Sequence, residues 1–366
     1  MDADTQRQWL VLAHLPLSGR SFSRLAASHP DAGDILALPG SAWRAAGASE
    51  QCLDMLRRWQ RGRCQTLAAA VDAALSLLQQ DTLHLIPLGD ARYPPLLARI
   101  DDPPALLYVA GNPQALSLPQ FSIVGSRRCS AASARAASEF SAGLVGAGYS
   151  ICSGLALGVD AAAHRAALAV GGSTVAVIAT GIDRCYPARH RALFDEICNA
   201  GAVVTTFNPG VAPRREHFPQ RNRLISGLSV GVLVVEAGLG SGSLITARSA
   251  LEQNREVFAL PHSIYDPGGA GCHQLLRQGA GLAETVADLL AETGALRTAH
   301  AEIRRERAPP PPHLRKVWGR LGHAALSVDE LVAAGAGNVE QVLAALVQLE
   351  QDGFVEQRGG LYERKL

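Results

Sequence analysis

Apolar residues change their spacing along this chain, and each change marks a different kind of element. Up to about residue 80 they recur at helical intervals, as in Trp9-Leu10-Leu12 and Leu67–Leu78, and Ser21 or Ser23 is placed to cap a helix. Leu38-Pro39-Gly40 before Ser41-Ala42-Trp43 predicts a turn entering a helix, of the helix-hairpin-helix kind. Such hairpins hold DNA phosphates in some proteins and are simple packing units in others, and packing is the weightier reading here. From Leu83 short apolar runs take over: Leu83–Leu88, then Ala105–Ala110, with breakers at Arg92-Tyr93-Pro94-Pro95 and Asp101-Asp102-Pro103-Pro104. Strand and helix then alternate. Phe121–Val124 leads through Gly125-Ser126-Arg127-Arg128 into a helix from Ala131 to about Val145. Tyr149–Cys152 precedes a helix ending near Val170, and Thr174–Ala179 one beginning near Pro187. Ala202–Thr205 precedes a long connection rich in Pro and Arg. Val230–Val235 leads through a glycine-rich turn to a helix over Leu244–Gln253, and Val257–Leu260 is the last strand. The alternation predicts an α/β fold, doubly wound, with a mostly parallel sheet covered on both faces.

The pattern breaks again near residue 295. Arg304–Arg307 and Pro309–Pro312 predict an exposed, stiff linker. Beyond it come three helical stretches, the last over Val339–Leu349, and a strand pair, Phe354–Gln357 and Leu361–Glu363, turning at Gly359-Gly360. That is winged-helix order. A DNA-reading winged helix places basic and amide side chains on its third helix. This one has Glu340, Glu350 and Asp352 there, with Gln341 and Gln348 but no Lys or Arg, which favours a protein-interaction or regulatory module. Four parts are expected: a helical region over 1–80 (SAM-like or helix-hairpin-helix-like), the α/β domain over 81–296, the linker over 297–312, and a winged helix over 313–366.

Composition narrows the function classes. At 366 residues, with 48% hydrophobic and 18% charged residues and a net charge of +1, the chain supports two or three domains. Any nucleic-acid site must come from local clustering of charge. Lys316 and Lys365 are the only lysines, so nearly all cationic side chains are Arg forks, which suit phosphate. An Ala- and Arg-rich genomic bias accounts equally well for the scattered ones. The seven cysteines form no CxxC pair and are odd in number, as expected of reduced thiols in a cytosolic protein. No signal-peptide pattern and no membrane-spanning apolar run are found, so a cytoplasmic location is expected. The eleven histidines show no metal-ligand spacing, and no nucleophile–base–orienter set stands out, so neither metal, cofactor nor catalysis is expected.

Several constellations carry candidate chemistry. The turn Gly125-Ser126-Arg127-Arg128 between strand and helix lets backbone amides approach a phosphate and adds charge, with Arg127 the firmer of the two arginines. Asp160 and His164 lie one helical turn apart, either as an acid/base pair or as a capping Asp with a packed His, the second being favoured. Arg184, Arg189 and Arg191 bring charge to the turn Gly181–Pro187. Phe218-Pro219-Gln220-Arg221-Asn222-Arg223, with Arg214 and Arg215 upstream, reads as a loop suited to single-stranded nucleic acid. It reads equally as a loop whose Arg221 and Arg223 pair with Glu216 or Glu236. Gly238–Ser243, including Gly240, Ser241, Gly242 and Ser243, forms an anion-binding nest at a helix N-terminus.

These blocks together resemble one family, the bacterial DNA-processing protein A (DprA/Smf) proteins of natural transformation. The resemblance rests on SIVGSRR, SGLALGVDAAAH, the GIDRCYP turn, FPQRNRLISGLS and SGSLITARSALEQNREVFALP. It extends to YPPLLARIDDPPALLYVAG upstream and to Gly271-Cys272-His273 with Gly279-Ala280, spanning about residues 83–292. Pro261-His262 departs from the family's usual Pro-Gly. The resemblance implies an extended Rossmann-like domain that dimerises, binds single-stranded DNA, protects incoming DNA and loads the RecA recombinase, without catalysis. It implies a DNA site at Gly125, Ser126, Arg127 and Arg221-Asn222-Arg223, with basic residues after the GIDRCYP turn, Arg189 by position; Arg128, Arg184 and the Gly240–Ser243 nest are expected as further contacts from their own chemistry. Two rivals are a nucleotide-binding sensor and a nucleoside-phosphate-cleaving enzyme. The second is disfavoured because Thr246 stands where the PGGxGTxxE pattern of such enzymes needs its Glu.

Overall fold

Nine short runs, mostly Val, Ile, Leu and Ala, form a single sheet in this computed structural model. The structure describes residues 2–29, 31–79, 82–293, 310–311, 313–321, 326–352, 354–358 and 360–364. The strands are β1 (Leu83–Pro87), β2 (Leu106–Gly111), β3 (Gln120–Val124), β4 (Ser150–Ser153), β5 (Thr174–Val177), β6 (Ala202–Thr205), β7 (Ser229–Val234), β8 (Glu256–Ala259) and β9 (Gly281–Leu282). Their order is β1-β2-β6-β5-β4-β3-β7-β8-β9. From β6 to β9 all neighbours are parallel, and β2 with β1 adds an antiparallel edge. β3 to β6 are buried throughout, as parallel strands covered on both faces must be.

The chain winds outward from β3 through β4 and β5 to β6, then returns to lay β7 on the other side of β3. The point where the direction reverses, between β3 and β7, is where ligands gather in such sheets. The return is made by the helix His217–Leu228, which corrects the expectation of a loop around Arg221-Asn222-Arg223. Pro219 falls in the helix's first turn, where its missing N–H costs nothing, and Leu224, Ile225 and Leu228 bury against β3 and β7. The proline and the neighbouring basic residues hide this apolar stripe. Inside the seam, Ser122 and Ser229 hydroxyls lie 2.7 Å apart, and both reach the Ile225 carbonyl.

The chain divides into two compact units, Met1–Ala301 and Glu302–Leu366. In the first, six helices between Ala3 and Leu78 precede the sheet. Leu10, Val11, Leu67, Val71 and Ala74 share a core with Leu85, Tyr108, Ala176 and Val203 of the strands. Docking is reinforced at the Asp101-Asp102-Pro103 turn, where Asp102 accepts the Arg20 amide at 2.7 Å. The second unit holds helices Arg315–Arg320, Val328–Ala333 and Val339–Gln351 and the hairpin β10 (Val355–Arg358) with β11 (Leu361–Arg364). Capping boxes at Ser327/Glu330 and Asn338/Gln341 start its second and third helices. Leu331, Val342, Leu346, Leu349 and Val355 form its core. The linker expected over 297–312 lies outside the described residues except for Pro310 and Pro311.

Candidate nucleic-acid interface

A cleft of about 740 Å³ opens at the carboxyl ends of β3 and β7. Its walls are the turn Gly125-Ser126-Arg127 after β3, the segment after β4 with Ala156 and Asp160, the helix carrying Phe218, Arg221 and Asn222, and the glycine-rich turn Gly238–Ser243 after β7. Two links through Glu236 set the width: Ser126 donates its N–H to the Glu236 carbonyl at 2.8 Å, and the Glu236 carboxylate accepts the Ser130 amide at 2.9 Å. Gly158 has φ +74°, and a Cβ there would strike the Ser126 carbonyl, so the turn and the following helix lie as close as backbone allows.

The residues from the sequence reading separate here. Arg127 is exposed in the cleft, its guanidinium 4.8 Å from the centroid of the Phe218 ring, and no carboxylate among the described residues pairs with it. Arg221 is buried in the floor. Its Nη1 donates to the Val177 carbonyl at 3.2 Å, its Nε has no partner, and its guanidinium lies so close to Gly154 that a Cβ there would collide with it. Burial pushes its pKa down, and the Asp160 charge acts against this. Asn222 donates to the Gly242 carbonyl at 3.1 Å, tying the helix to the nest. In the nest, the Ser241 and Ser243 hydroxyls lie 2.6 Å apart at the start of the helix Ser243–Glu252. The Ser241, Leu244 and Ile245 amides donate within the turn itself, so what this wall presents to the cleft is the positive end of the helix dipole with the two hydroxyls. Thr246 lines the cleft with a hydroxyl where a glycosidic hydrolase would need a carboxylate.

Others lie outside the cleft. Arg223 turns away and sits 3.4 Å from Asp102, so neither Glu216 nor Glu236 is its partner. Arg128 is exposed beyond the rim, its amide bonded to the Ser126 hydroxyl at 3.2 Å. Arg184 stands 3.7 Å from Asp183, and Arg189 is exposed off the cleft wall. The residue of that turn that reaches the cleft is Tyr186, whose ring lies 6.0 Å from Phe218. Sequence reasoning passed over it. Its signal was an aromatic beside proline at a strand's carboxyl end.

Asp160 and His164 do not form an acid/base pair. The Asp160 carboxylate accepts the amides of Gly154 (3.1 Å) and Ala156 (3.3 Å). Burial pushes its carboxyl up, while the Arg221 charge and the two amides pull it down. His164 is fully buried. Its Nδ1 lies 2.7 Å from the Thr174 hydroxyl, and that hydroxyl donates to the Ile151 carbonyl, so Nδ1 carries the proton. Burial lowers the His164 pKa from 6.5 to about 3. The unfolded chain therefore takes up a proton below pH ~6.5 that the folded chain refuses until pH ~3. Stability carried by His164 is complete above that window and falls by about 1.4 kcal/mol per pH unit within it. Urea titrations at pH 7, 6 and 5 should show the loss, and His164→Gln should show a shallower one.

Among the described residues no group of His, Cys, Asp and Glu is arranged to hold a metal, and no helix is long and apolar enough to cross a membrane. Fold and site thus define a doubly wound α/β protein with an arginine-lined cleft at its switch point, joined to a winged-helix unit. Residues 84–294 match the family model of DNA recombination-mediator protein A, and residues 302–360 that of the DprA winged helix domain. Protein Smf of Escherichia coli (strain K12) is 39% identical over 305 residues, covering 81% of each chain. DNA processing protein DprA of Streptococcus pneumoniae (strain ATCC BAA-255 / R6) is 47% identical over 203 residues, covering 56% of this chain and 72% of that one. The X-ray structure of DprA from Streptococcus pneumoniae superposes with a TM-score of 0.67 at 38% identity, over 78% of this chain and 95% of that one. DprA from Helicobacter pylori, described for its unique single-stranded DNA binding mode, gives 0.53 at 27% identity, over 58% and 96%. The chain belongs to the DprA/Smf family of DNA recombination mediators.

Proposed function

We propose that this protein binds single-stranded DNA in the switch-point cleft, protects incoming transforming DNA and loads a RecA recombinase onto it, acting as a cytoplasmic homodimer without catalysis. The observation that carries the reading is Arg127, unpaired and stacked on Phe218, in one cleft with the glycine- and serine-rich turn that starts the helix Ser243–Glu252. An arginine and a helix N-terminus grip phosphates without regard to sequence, and Phe218 and Tyr186 give unpaired bases a surface to stack on. A duplex hides its base faces and gains nothing from those rings. Gly125, Ser126, Arg127 and Gly240–Ser243 are the phosphate contacts in this reading. Arg221 and Asn222 shape the floor, Arg184 and Arg189 touch the strand outside the cleft, and Arg223 serves the fold through Asp102. The single-stranded DNA named for the Helicobacter pylori relative supports the choice of ligand.

Fluorescence anisotropy of a labelled oligothymidine tests it. Binding should weaken as salt rises and resist competition by duplex of equal length. Filament formation by RecA on a strand already coated with single-strand-binding protein should then speed up in its presence. Absence of oligothymidine binding at low salt, with a rise in melting temperature on adding free nucleotides, would replace this reading with a nucleotide sensor.

A further inference from the structure

Arg128 is left over from the cleft, and so is the loop Pro261–Gly269 that follows β8. We propose that Arg128, Ile264 and Tyr265 form a second contact site, outside the cleft, for a phosphate and a base of the same single strand, an inference that rests on the single-stranded-DNA reading above. Ile264 is 81% and Tyr265 88% exposed, the two most exposed large apolar side chains among the described residues. The loop that carries them is nonetheless well tied. His262 Nε2 donates to the Val235 carbonyl at 2.8 Å, His273 Nε2 to the His262 carbonyl at 2.9 Å, and Asp266 accepts the Gly268 amide at 2.8 Å. A loop tied to Val235 and His273 and turned by its own Asp266–Gly268 bond that still holds an aromatic and an aliphatic side chain in water offers them to a ligand.

Its position favours the strand in the cleft as that ligand. β8 is the neighbour of β7, so the loop stands at the same end of the sheet as the nest. One carboxylate joins the parts. Glu236 Oε2 accepts the Ser130 amide at 2.9 Å, and its Oε1 lies 3.4 Å from where a Cβ of Gly268 would stand. The turn bearing Arg128 and the loop bearing Tyr265 therefore flank the same side chain. Arg128 is exposed there, and no carboxylate among the described residues pairs with it. A free guanidinium and an exposed ring on the two segments that flank Glu236 can hold one phosphate and one unstacked base of a strand passing between them.

The test uses the full chain and two labelled oligothymidines, one of about five nucleotides to fill the cleft and one of about fifteen to run past it. Tyr265→Ala should weaken binding of the longer strand about five- to hundredfold and leave the shorter unchanged, with Tyr265→Phe restoring wild-type affinity. Arg128→Ala should lower the salt slope for the longer strand alone, by about 0.7. A strand carrying 5-iododeoxyuridine should photo-cross-link to Tyr265. If the wild type binds neither strand, the single-stranded-DNA reading itself falls. Should it bind both while the variants bind the longer one like wild type, or lose both strands equally, the second site is wrong and the cleft stands. A Tyr265→Ala variant whose only change is its oligomeric state in sedimentation would assign the loop to contact between copies instead.

Discussion

Asp160→Ala is expected to lower the free energy of unfolding by about 3–5 kcal/mol, measured by urea denaturation at pH 7. The carboxylate is buried, accepts the amides of Gly154 and Ala156, and is the acid whose charge acts on the buried Arg221. Removing it strands two amides and leaves a guanidinium in the interior with one carbonyl bond and an unpartnered Nε. An uncompensated buried charge costs far more than a whole pair replaced by neutral groups. Asp160→Asn combined with Arg221→Met should therefore be more stable than Asp160→Ala alone, and a double-mutant cycle should show strong coupling. A cost below about 1 kcal/mol for Asp160→Ala would mean that Arg221 is held by something else.

The second large effect is on binding. Arg127→Ala should weaken single-stranded DNA binding by about 1.5–3 kcal/mol, the worth of a charge-assisted hydrogen bond, and lower the salt slope by about 0.7. Its side chain is exposed and bears no structural ion pair among the described residues, so the variant should lose only the contact with Phe218, about 0.5–1 kcal/mol, and the melting temperature should fall by no more than a few degrees. Phe218→Ala separates the two components of the site. It should weaken binding by about 1–3 kcal/mol through lost stacking, with less change in salt slope than Arg127→Ala. If Arg127→Ala binds like wild type at every salt concentration, the cleft is not where the phosphate lies.

The strand–helix alternation was legible because a covered parallel sheet needs short, wholly apolar runs, and Gly or Pro punctuates them at each end. The glycine turn at Gly125 was legible for a related reason, since a Cβ there would strike Val159 and close backbone approach excludes other side chains; the turn Gly238–Ser243 was legible from its run of glycines and hydroxyls before an apolar helix. The helix His217–Leu228 was not. Its proline and basic residues are strong local signals for a loop, whereas the signal for helix is three apolar residues that matter only once β3 and β7 are there to cover them.

The sequence by itself determined the fold class, the family, the winged-helix tail and the general place of the positive charge. Only the tertiary structure decided what each charge does. Arg221, Asn222 and Arg223 are consecutive, yet a helix turns each residue about 100° from the last. One guanidinium goes into the floor, one amide to the nest, and one guanidinium out to Asp102. Arg127 and Arg128 part in the same way at their turn, the first into the cleft and the second beyond its rim. Charge is a property of composition, but its direction and its partners come from segments distant in the chain, and only folding brings these together.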